Sequence, residues 1–208
     1  MFKLRLILLI FFISGCGEYH VSEEYYPSGQ KYRELSYLND QLHGTVMVYD
    51  ENGSLEEESR YAHNQKNGVC KFYYPEGLIW EENHYCKDQR NGLSKVYYRN
   101  GNIQEETWYK KDKKDGAGKV YYEKGGLFYE VHYRGDKKDG PSIMYYDNGK
   151  ILSRVKFSDD QLDGLSELFF VNGQIQERAL YKKGVLVSRR AYDETGQPVP
   201  QADKDAGG

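Results

Sequence analysis

Residues 92–109 carry two runs of apolar, aromatic and paired charged residues on either side of Asn100-Gly101. Both runs are rich in the β-branched and aromatic residues that favour strands. Asn-Gly between two such runs is the strongest short-range signal of a β-hairpin, because a type I′ turn needs a positive φ at both central residues. The segment therefore predicts two antiparallel strands joined by a two-residue turn.

The same pattern recurs along the chain with a period of 24 residues. Numbered from its first glycine as repeat position 0, the pattern starts at Gly44, Gly68, Gly92, Gly116, Gly140 and Gly164. Position 9 is a turn glycine in seven copies: Gly29, Gly53, Gly77, Gly101, Gly125, Gly149 and Gly173. A fixed period of this length indicates a repeat architecture. We therefore expect an all-β, elongated repeat protein in which tandem hairpins form one long twisted antiparallel sheet.

The spacing also predicts the domain boundaries. Seven hairpin repeats without an insertion occupy residues 20–184, and residues 185–197 imitate one more strand and turn, slipped by one residue. Terminal repeats are often atypical because they cap an exposed edge. Residues 198–208 are small and polar, and we expect them to be disordered.

The loop length decides which side chains face each other. A two-residue loop places position 3 opposite position 14, which gives the oppositely charged pairs Lys71–Glu82, Lys95–Glu106, Lys119–Glu130 and Glu167–Arg178. A three-residue loop would instead pair position 3 with position 13. With the two-residue loop, positions 4, 6, 11 and 17 share one face and position 5 lies on the other, among the charged pairs.

Position 5 is aromatic in every repeat and forms the candidate binding face. Its members are Tyr25, Tyr49, Tyr73, Tyr97, Tyr121, Tyr145 and Phe169. A row of aromatic rings at regular spacing suits an extended ligand, either a protein strand or a glycan. The repeated tyrosines are expected to serve the fold first, so that binding is an additional role.

Residues 1–15 have the features of a secretory signal peptide. Lys3 and Arg5 precede an unbroken apolar run, which is too short to cross a bilayer, and small residues follow it. Ile13-Ser14-Gly15 before Cys16 also resembles the bacterial lipobox, which implies cleavage before Cys16 and acylation of that cysteine. Residues 16–19 then form a lipidated linker, and two acyl signals hold a protein stably on a membrane. The alternative is an ordinary signal peptide with a chance cysteine.

Charge and composition exclude several classes of function. Loss of Lys3 and Arg5 lowers Lys+Arg from 29 to 27 against 32 Asp+Glu, so the mature chain is acidic and nucleic-acid binding is not expected. The histidines are too far apart for a metal site. Repetition of the prominent polar residues leaves no unique catalytic set, so we expect neither an enzyme nor a cofactor. Cys70 and Cys86 fall on opposite faces of one hairpin, which disfavours a disulfide.

The repeated Gly-x-x-x-φ-Tyr-Tyr-x-x-Gly-x-Ile-x-Glu-Glu-x-x-Tyr pattern resembles the variant MORN repeat of bacteria over residues 19–181. The resemblance implies a hairpin fold and membrane or protein attachment, and many bacterial members carry an antitoxin label. Together with the lipobox it predicts a lipid-anchored binding or scaffolding protein of the bacterial envelope, with an envelope protein or a glycan as its partner. The absence of aspartate after Cys16 resembles outer-membrane sorting. The alternative function is neutralisation of a partner toxin.

Overall fold

The computed structural model describes the backbone of residues 5–7 and all of residues 17–200. Within these ranges every regular element is a β-strand, and all pairings between strands are antiparallel. The strands are β1 (Arg5–Ile7), β2 (Tyr19–Tyr25), β3 (Lys31–Leu38), β4 (Gln41–Tyr49), β5 (Leu55–Ala62), β6 (Gln65–Tyr73), β7 (Ile79–Cys86), β8 (Gln89–Arg90), β9 (Gly92–Tyr97), β10 (Ile103–Lys110), β11 (Lys113–Tyr121), β12 (Leu127–Arg134), β13 (Lys137–Tyr145), β14 (Ile151–Ser158), β15 (Gln161–Leu162), β16 (Gly164–Phe169), β17 (Ile175–Lys182) and β18 (Val185–Ala191).

The chain folds as two compact units, which end and begin at Lys113 and Lys114. In the first unit, the strands from β2 to β10 lie side by side in chain order, with β8 and β9 together occupying one place. In the second unit, the strands from β11 to β18 do the same, with β15 and β16 together occupying one place. Strands β8 and β9, and likewise β15 and β16, are two parts of one interrupted strand that share a neighbour. Each unit is therefore a sheet of tandem hairpins with a 24-residue period, as the sequence predicts.

The turn at positions 7–9 differs from the expected two-residue type I′ turn. Tyr98 N–H donates to Asn102 O at 2.9 Å and Gly101 N–H donates to Tyr98 O at 2.9 Å, which leaves a three-residue loop. Only the glycine has a positive φ, and the seven turn glycines have φ between 81° and 92°. The loop is a type I turn completed by a left-handed glycine, which also connects antiparallel strands. Asn-Gly thus marks the position of the turn but not its type.

The two-residue turns with positive φ at both central residues lie instead at positions 19 and 20, between one hairpin and the next. Lys111 and Asp112 have φ of 50° and 66°, and His63 and Asn64 have 52° and 65°. Ala62 and Gln65 pair directly across one such turn. The composition of these segments is that of an ordinary charged link, because Lys-Asp is a less familiar type I′ pair than Asn-Gly. Asp and Asn tolerate the left-handed conformation better than other non-glycine residues.

The strand register nevertheless agrees with the expected pairing of positions 3 and 14. Lys95 faces Glu106 and Lys71 faces Glu82, because the longer loop is followed by a one-residue bulge at position 12. Tyr97 then faces Ile103 and Tyr73 faces Ile79, so position 5 pairs with position 11. The assignment of position 11 to the face of positions 4, 6 and 17 was therefore wrong. Position 11 lies beside the candidate binding row because the bulge reverses the alternation of side chains.

In each unit, most of the buried residues form a row across neighbouring strands at positions 2 and 15. Ser59 and Cys70, which face each other, are fully buried. The other buried members of the row are Ser22, Leu35, Val46, Asn83, Ser94 and Thr107 in the first unit, and Gly118, Val131, Ser142 and Ala179 in the second. Their hydroxyl groups are satisfied locally, as when Ser94 donates to Asn83 Oδ1 at 2.6 Å. Small side chains suit this row because larger ones must fold over it.

Aromatic residues at position 17 provide that cover, and cations at position 22 of the preceding repeat stack on them. A Cβ added to Gly118 would lie 2.8 Å from the ring of Tyr133, so this ring rests directly on the row. Arg90 lies 4.0 Å from the ring centroid of Tyr109, and Lys114 lies 5.2 Å from that of Tyr133. Each unit thus buries one face of its sheet beneath its own side chains, with cation–π contacts closing the surface.

Two hydrogen-bonded links join each repeat to its neighbour. At one end of the hairpins, the position 20 residue bonds to the position 22 backbone of the preceding repeat: Asp88 N–H donates to Lys66 O at 3.0 Å, and Lys66 N–H donates to Asp88 Oδ1 at 2.8 Å. At the other end, the position 6 hydroxyl donates to the position 5 carbonyl of the next repeat, as from Tyr26 to Tyr49 O at 2.8 Å. The tyrosines of position 6 therefore serve the fold.

Both termini of the repeat array extend beyond the expected boundaries. Strand β2 starts at Tyr19, and Glu18 N–H donates to Asn39 Oδ1 at 3.1 Å, so Tyr19 belongs to the sheet and Glu18 is hydrogen-bonded to the turn beside it. At the other end Tyr192 pairs with Pro198, and Val199 N–H donates to Ala191 O at 3.0 Å. The expected disordered tail therefore begins too early at residue 198. Residues 201–208, like most of the proposed signal peptide, lie outside the described residues.

Removal of the position 20 side chain should weaken the link between repeats. Asp88 has a φ of 64°, which glycine adopts freely, so Asp88→Gly removes the bond to Lys66 N–H without backbone strain. We expect the free energy of unfolding to fall by about 0.5–1.5 kcal/mol, the usual net value of one hydrogen bond. Asp88→Asn is the matched control, since Asn64 makes the same bond to Leu42 at 2.7 Å. Urea denaturation measures both, and equal stability of the two variants would contradict this role.

Candidate interaction face

The position 5 aromatics lie in a row across the strands of each unit. Tyr25, Tyr49, Tyr73 and Tyr97 belong to the first unit, and Tyr121, Tyr145 and Phe169 belong to the second. All seven are half-buried, so each ring is partly covered and partly open to solvent. The structure thus brings together the predicted residues within each unit and gives them one common environment.

Three of these tyrosines donate their hydroxyl groups to carboxylates within the sheet. Tyr73 donates to Glu58 at 2.9 Å and Tyr145 donates to Glu130 at 2.6 Å, in both cases to the position 14 carboxylate of the preceding hairpin. Tyr25 donates to Glu23 on its own strand. Because these hydroxyls are already paired, a ligand would meet mainly the rings, and the bonds fix the orientation of each ring.

Burial and the neighbouring carboxylates keep these phenols neutral. The pKa of Tyr73 rises to about 12, first because the ring is removed from water and then because its hydroxyl bonds to Glu58. The pKa of Tyr145 rises to about 12 for the same two reasons, with Glu130 as the acceptor. Burial also raises the pKa values of Tyr49 and Tyr97. Hydroxyl groups with raised pKa values remain donors over the whole physiological range.

Charged residues beside the rings compensate one another. Glu23 faces Glu34 on neighbouring strands, and the ammonium group of Lys31 pairs with both carboxylates. Lys31 can do so because position 11 shares the face of position 5, the placement that sequence reasoning missed. In the second unit Glu167 lies between Arg154 at 3.5 Å and Arg178 at 3.1 Å. The face is therefore a surface of aromatic rings within an internally neutralised charge ladder.

Position 16 adds the side chains that distinguish one repeat from another. It lies two residues beyond position 14 on the same strand and therefore on the same face. Its residues are Ser36, Arg60, His84, Trp108, His132, Lys156 and Leu180. Trp108 is 48% exposed and Leu180 is 42% exposed. Periodicity does not reveal this row, because its residues vary from repeat to repeat. The available signal was that position 16 departs from the repeated pattern.

The remaining candidate residues give little further chemistry. Ile13, Ser14, Gly15 and Cys16, the proposed cleavage and lipidation residues, lie outside the described residues. Cys70 is buried, Cys86 is exposed, and both are free thiols. Among the described residues, no three His, Cys, Asp or Glu side chains come close enough to share a metal ion. The same part of the chain contains no helix long and apolar enough to span a membrane.

Comparison with known families agrees with the geometry of the repeat. The family model of the MORN repeat variant matches seven segments, residues 21–39, 42–63, 66–87, 90–111, 114–134, 138–159 and 162–183. This chain belongs to the MORN repeat variant family. Each match of this family covers one hairpin and ends at or just before the first residue of the connecting turn. No curated protein matches the chain.

The raised pKa values predict a loss of stability in alkali. A phenol whose folded pKa lies above its unfolded value of about 10 contributes stability that is complete below that value and lost as pH rises through about 12. The free energy of unfolding should therefore be lower at about pH 11 than at about pH 9. Replacement of both Tyr73 and Tyr145 by Phe should reduce this difference, which urea denaturation at each pH measures. The same drop in both proteins would contradict the assignment.

Proposed function

We propose that this MORN repeat protein is a lipid-anchored, non-catalytic binding or scaffolding module of the bacterial cell envelope. The observation that carries the proposal is the face built from positions 5 and 16. In each unit this face repeats an aromatic ring at position 5 and, nearer the other end of each hairpin, carries a position 16 side chain that differs between repeats. An extended partner, either an envelope protein or a glycan, would contact the same ring in successive hairpins and a different position 16 side chain in each.

The proposed anchor follows from the order of residues at the N-terminus. A basic start, an apolar run and Ile13-Ser14-Gly15 precede Cys16, and β2 begins at Tyr19. The three residues from Cys16 to Tyr19 span at most about 10 Å. Acylation of Cys16 would therefore hold the first hairpin close to the lipid headgroups. The outer membrane is the favoured location, and there the repeats would present their aromatic face to other envelope components.

Lipidation of Cys16 can be tested directly in bacteria that express the full-length chain. We expect wild-type protein to incorporate a radioactive fatty acid and to sediment with the membrane fraction. Cys16→Ala should abolish both, because the thiol that receives the diacylglycerol is gone. Cys86→Ala is the matched control, since Cys86 is an exposed free thiol away from the motif. Equal labelling of all three proteins would rule out a lipid anchor at Cys16.

The role of the face can be tested with surface substitutions that leave the buried row intact. We expect Trp108→Ser to reduce capture of envelope partners from detergent-solubilised membranes several-fold, because loss of a large aromatic contact commonly costs more than 1 kcal/mol of binding. Leu78→Ser is the control, since Leu78 is similarly exposed, at 47%, but adjoins a hairpin turn outside this face.

The identity of the captured partner distinguishes the two functions. Recovery of envelope proteins or glycans that depends on Trp108 supports the scaffolding proposal. Recovery of a single secreted toxin would favour neutralisation, the function suggested by the antitoxin label in this family. Unchanged capture by Trp108→Ser would contradict the assignment of the face.

A further inference from the structure

The C-terminal strand β18 exposes an apolar edge. Val185, Leu186 and Val187 are 67%, 48% and 59% exposed, and Leu165 and Leu180 on the neighbouring strands are 49% and 42% exposed. Strand β18 pairs with β17 on one side. On its other side, within residues 17–200, only the end of the strand is paired, through Val199 N–H and Ala191 O. Exposed aliphatic residues beside unpaired backbone groups are a template for strand addition.

This edge is the first half of an eighth hairpin. Asp193 N–H donates to Gln197 O and Gly196 N–H donates to Asp193 O, both at 2.9 Å, the pattern that Asp50 and Gly53 form in an internal turn. Tyr192 faces Pro198 as Tyr97 faces Ile103. The second strand is not completed among the described residues, where the chain continues through Pro198, Val199 and Pro200. Proline lacks the N–H group that a strand needs to continue the ladder.

The charges along this edge lack the expected counterion. In the row of positions 3 and 14, Arg154 faces Glu167, Glu167 faces Arg178, and Arg178 faces Arg190. Two arginines directly opposite each other on neighbouring strands repel. Arg178 is paired with Glu167, whereas no ion pair or side-chain hydrogen bond is made by Arg190 within the described part of the chain. A strand added at this edge would place one residue opposite Arg190. A carboxylate at that place would pair with the arginine.

We infer that the outer edge of β18 is a strand-addition site for an extended segment of another protein that carries an acidic residue opposite Arg190 and aliphatic residues around it. The added strand pairs with the part of β18 that precedes the Tyr192–Pro198 bridge, and it covers Val185 and Val187. Backbone hydrogen bonds provide affinity and the carboxylate sets the register. A second copy of β18 fits poorly, because it would bring further arginines to the edge. The inference concerns a different surface from the aromatic face and does not depend on the lipid anchor.

The probe is a fluorescent peptide with the sequence of residues 102–110. In the fold this segment includes β10, which places Glu106 opposite Lys95. We expect the peptide to bind the full chain with saturable anisotropy and to slow amide exchange of residues 185–191. Arg190→Glu should weaken binding roughly five- to tenfold, because an attraction becomes a repulsion. A peptide with Glu106→Arg should bind wild-type protein equally weakly and recover affinity for Arg190→Glu.

Matched controls separate this site from other edges and from misfolding. Lys110→Glu reverses a positive charge at an exposed position in the first unit, outside positions 5 and 16, and should leave the affinity unchanged. Thermal unfolding of Arg190→Glu should not occur earlier than for wild-type protein, because the new carboxylate faces Arg178. The inference would be overturned if neither charge reversal changed the affinity of the peptide. It would also be overturned if the peptide slowed amide exchange at residues other than 185–191.

Two further outcomes would also overturn it. If deletion of residues 201–208 tightened peptide binding strongly, the chain's own tail would be the natural occupant of this edge. If the protein formed dimers that dissociated when the peptide was added, a second copy of the chain would be the occupant of this edge.

Discussion

In each unit the structure depends on the burial of a row of mostly small side chains at positions 2 and 15. Among the described residues, only the side chains of the sheet itself cover this row. Ser59 and Cys70 can be fully buried because the aromatic ring of position 17 folds over the row and a lysine or arginine stem lies on the ring. Larger residues in the row would lift the rings and open the surface to water, so the row fixes which positions may be bulky.

The same constraint explains how far the sequence predicts the fold. The 24-residue period, the hairpin as the unit, and the pairing of Lys95 with Glu106 all follow from spacing and charge. The turn types do not. Asn100-Gly101 forms a three-residue loop, and the type I′ geometry belongs to Lys111-Asp112, whose composition reads as an ordinary charged link. The longer loop and the bulge at position 12 shift the register in opposite directions. The predicted pairing of positions 3 and 14 was therefore right, although the predicted loop length of two residues was wrong.

The candidate face shows the complementary limit of sequence reasoning. The repeated tyrosines of position 5 stand out by number, but their bonds to Glu58 and Glu130 depend on which hairpin lies alongside, which spacing alone leaves open. Lys31 bridges Glu23 and Glu34 only because the bulge moves position 11 to that face. The proposed binding surfaces depend instead on residues that differ between repeats, such as Trp108 and Arg190. A search for periodicity does not detect these residues, because they do not recur.

The links between repeats have a mechanical consequence. The bond from Lys66 to Asp88 spans 22 residues and that from Tyr26 to Tyr49 spans 23, so each hairpin is fastened only to its immediate neighbours. A chain tethered at one end and pulled at the other would therefore not come apart in a single event. It would release hairpins one after another, each freeing up to about 80 Å of extended chain. An array of this kind absorbs tension stepwise, and the hairpins that are still folded keep their aromatic face while others open.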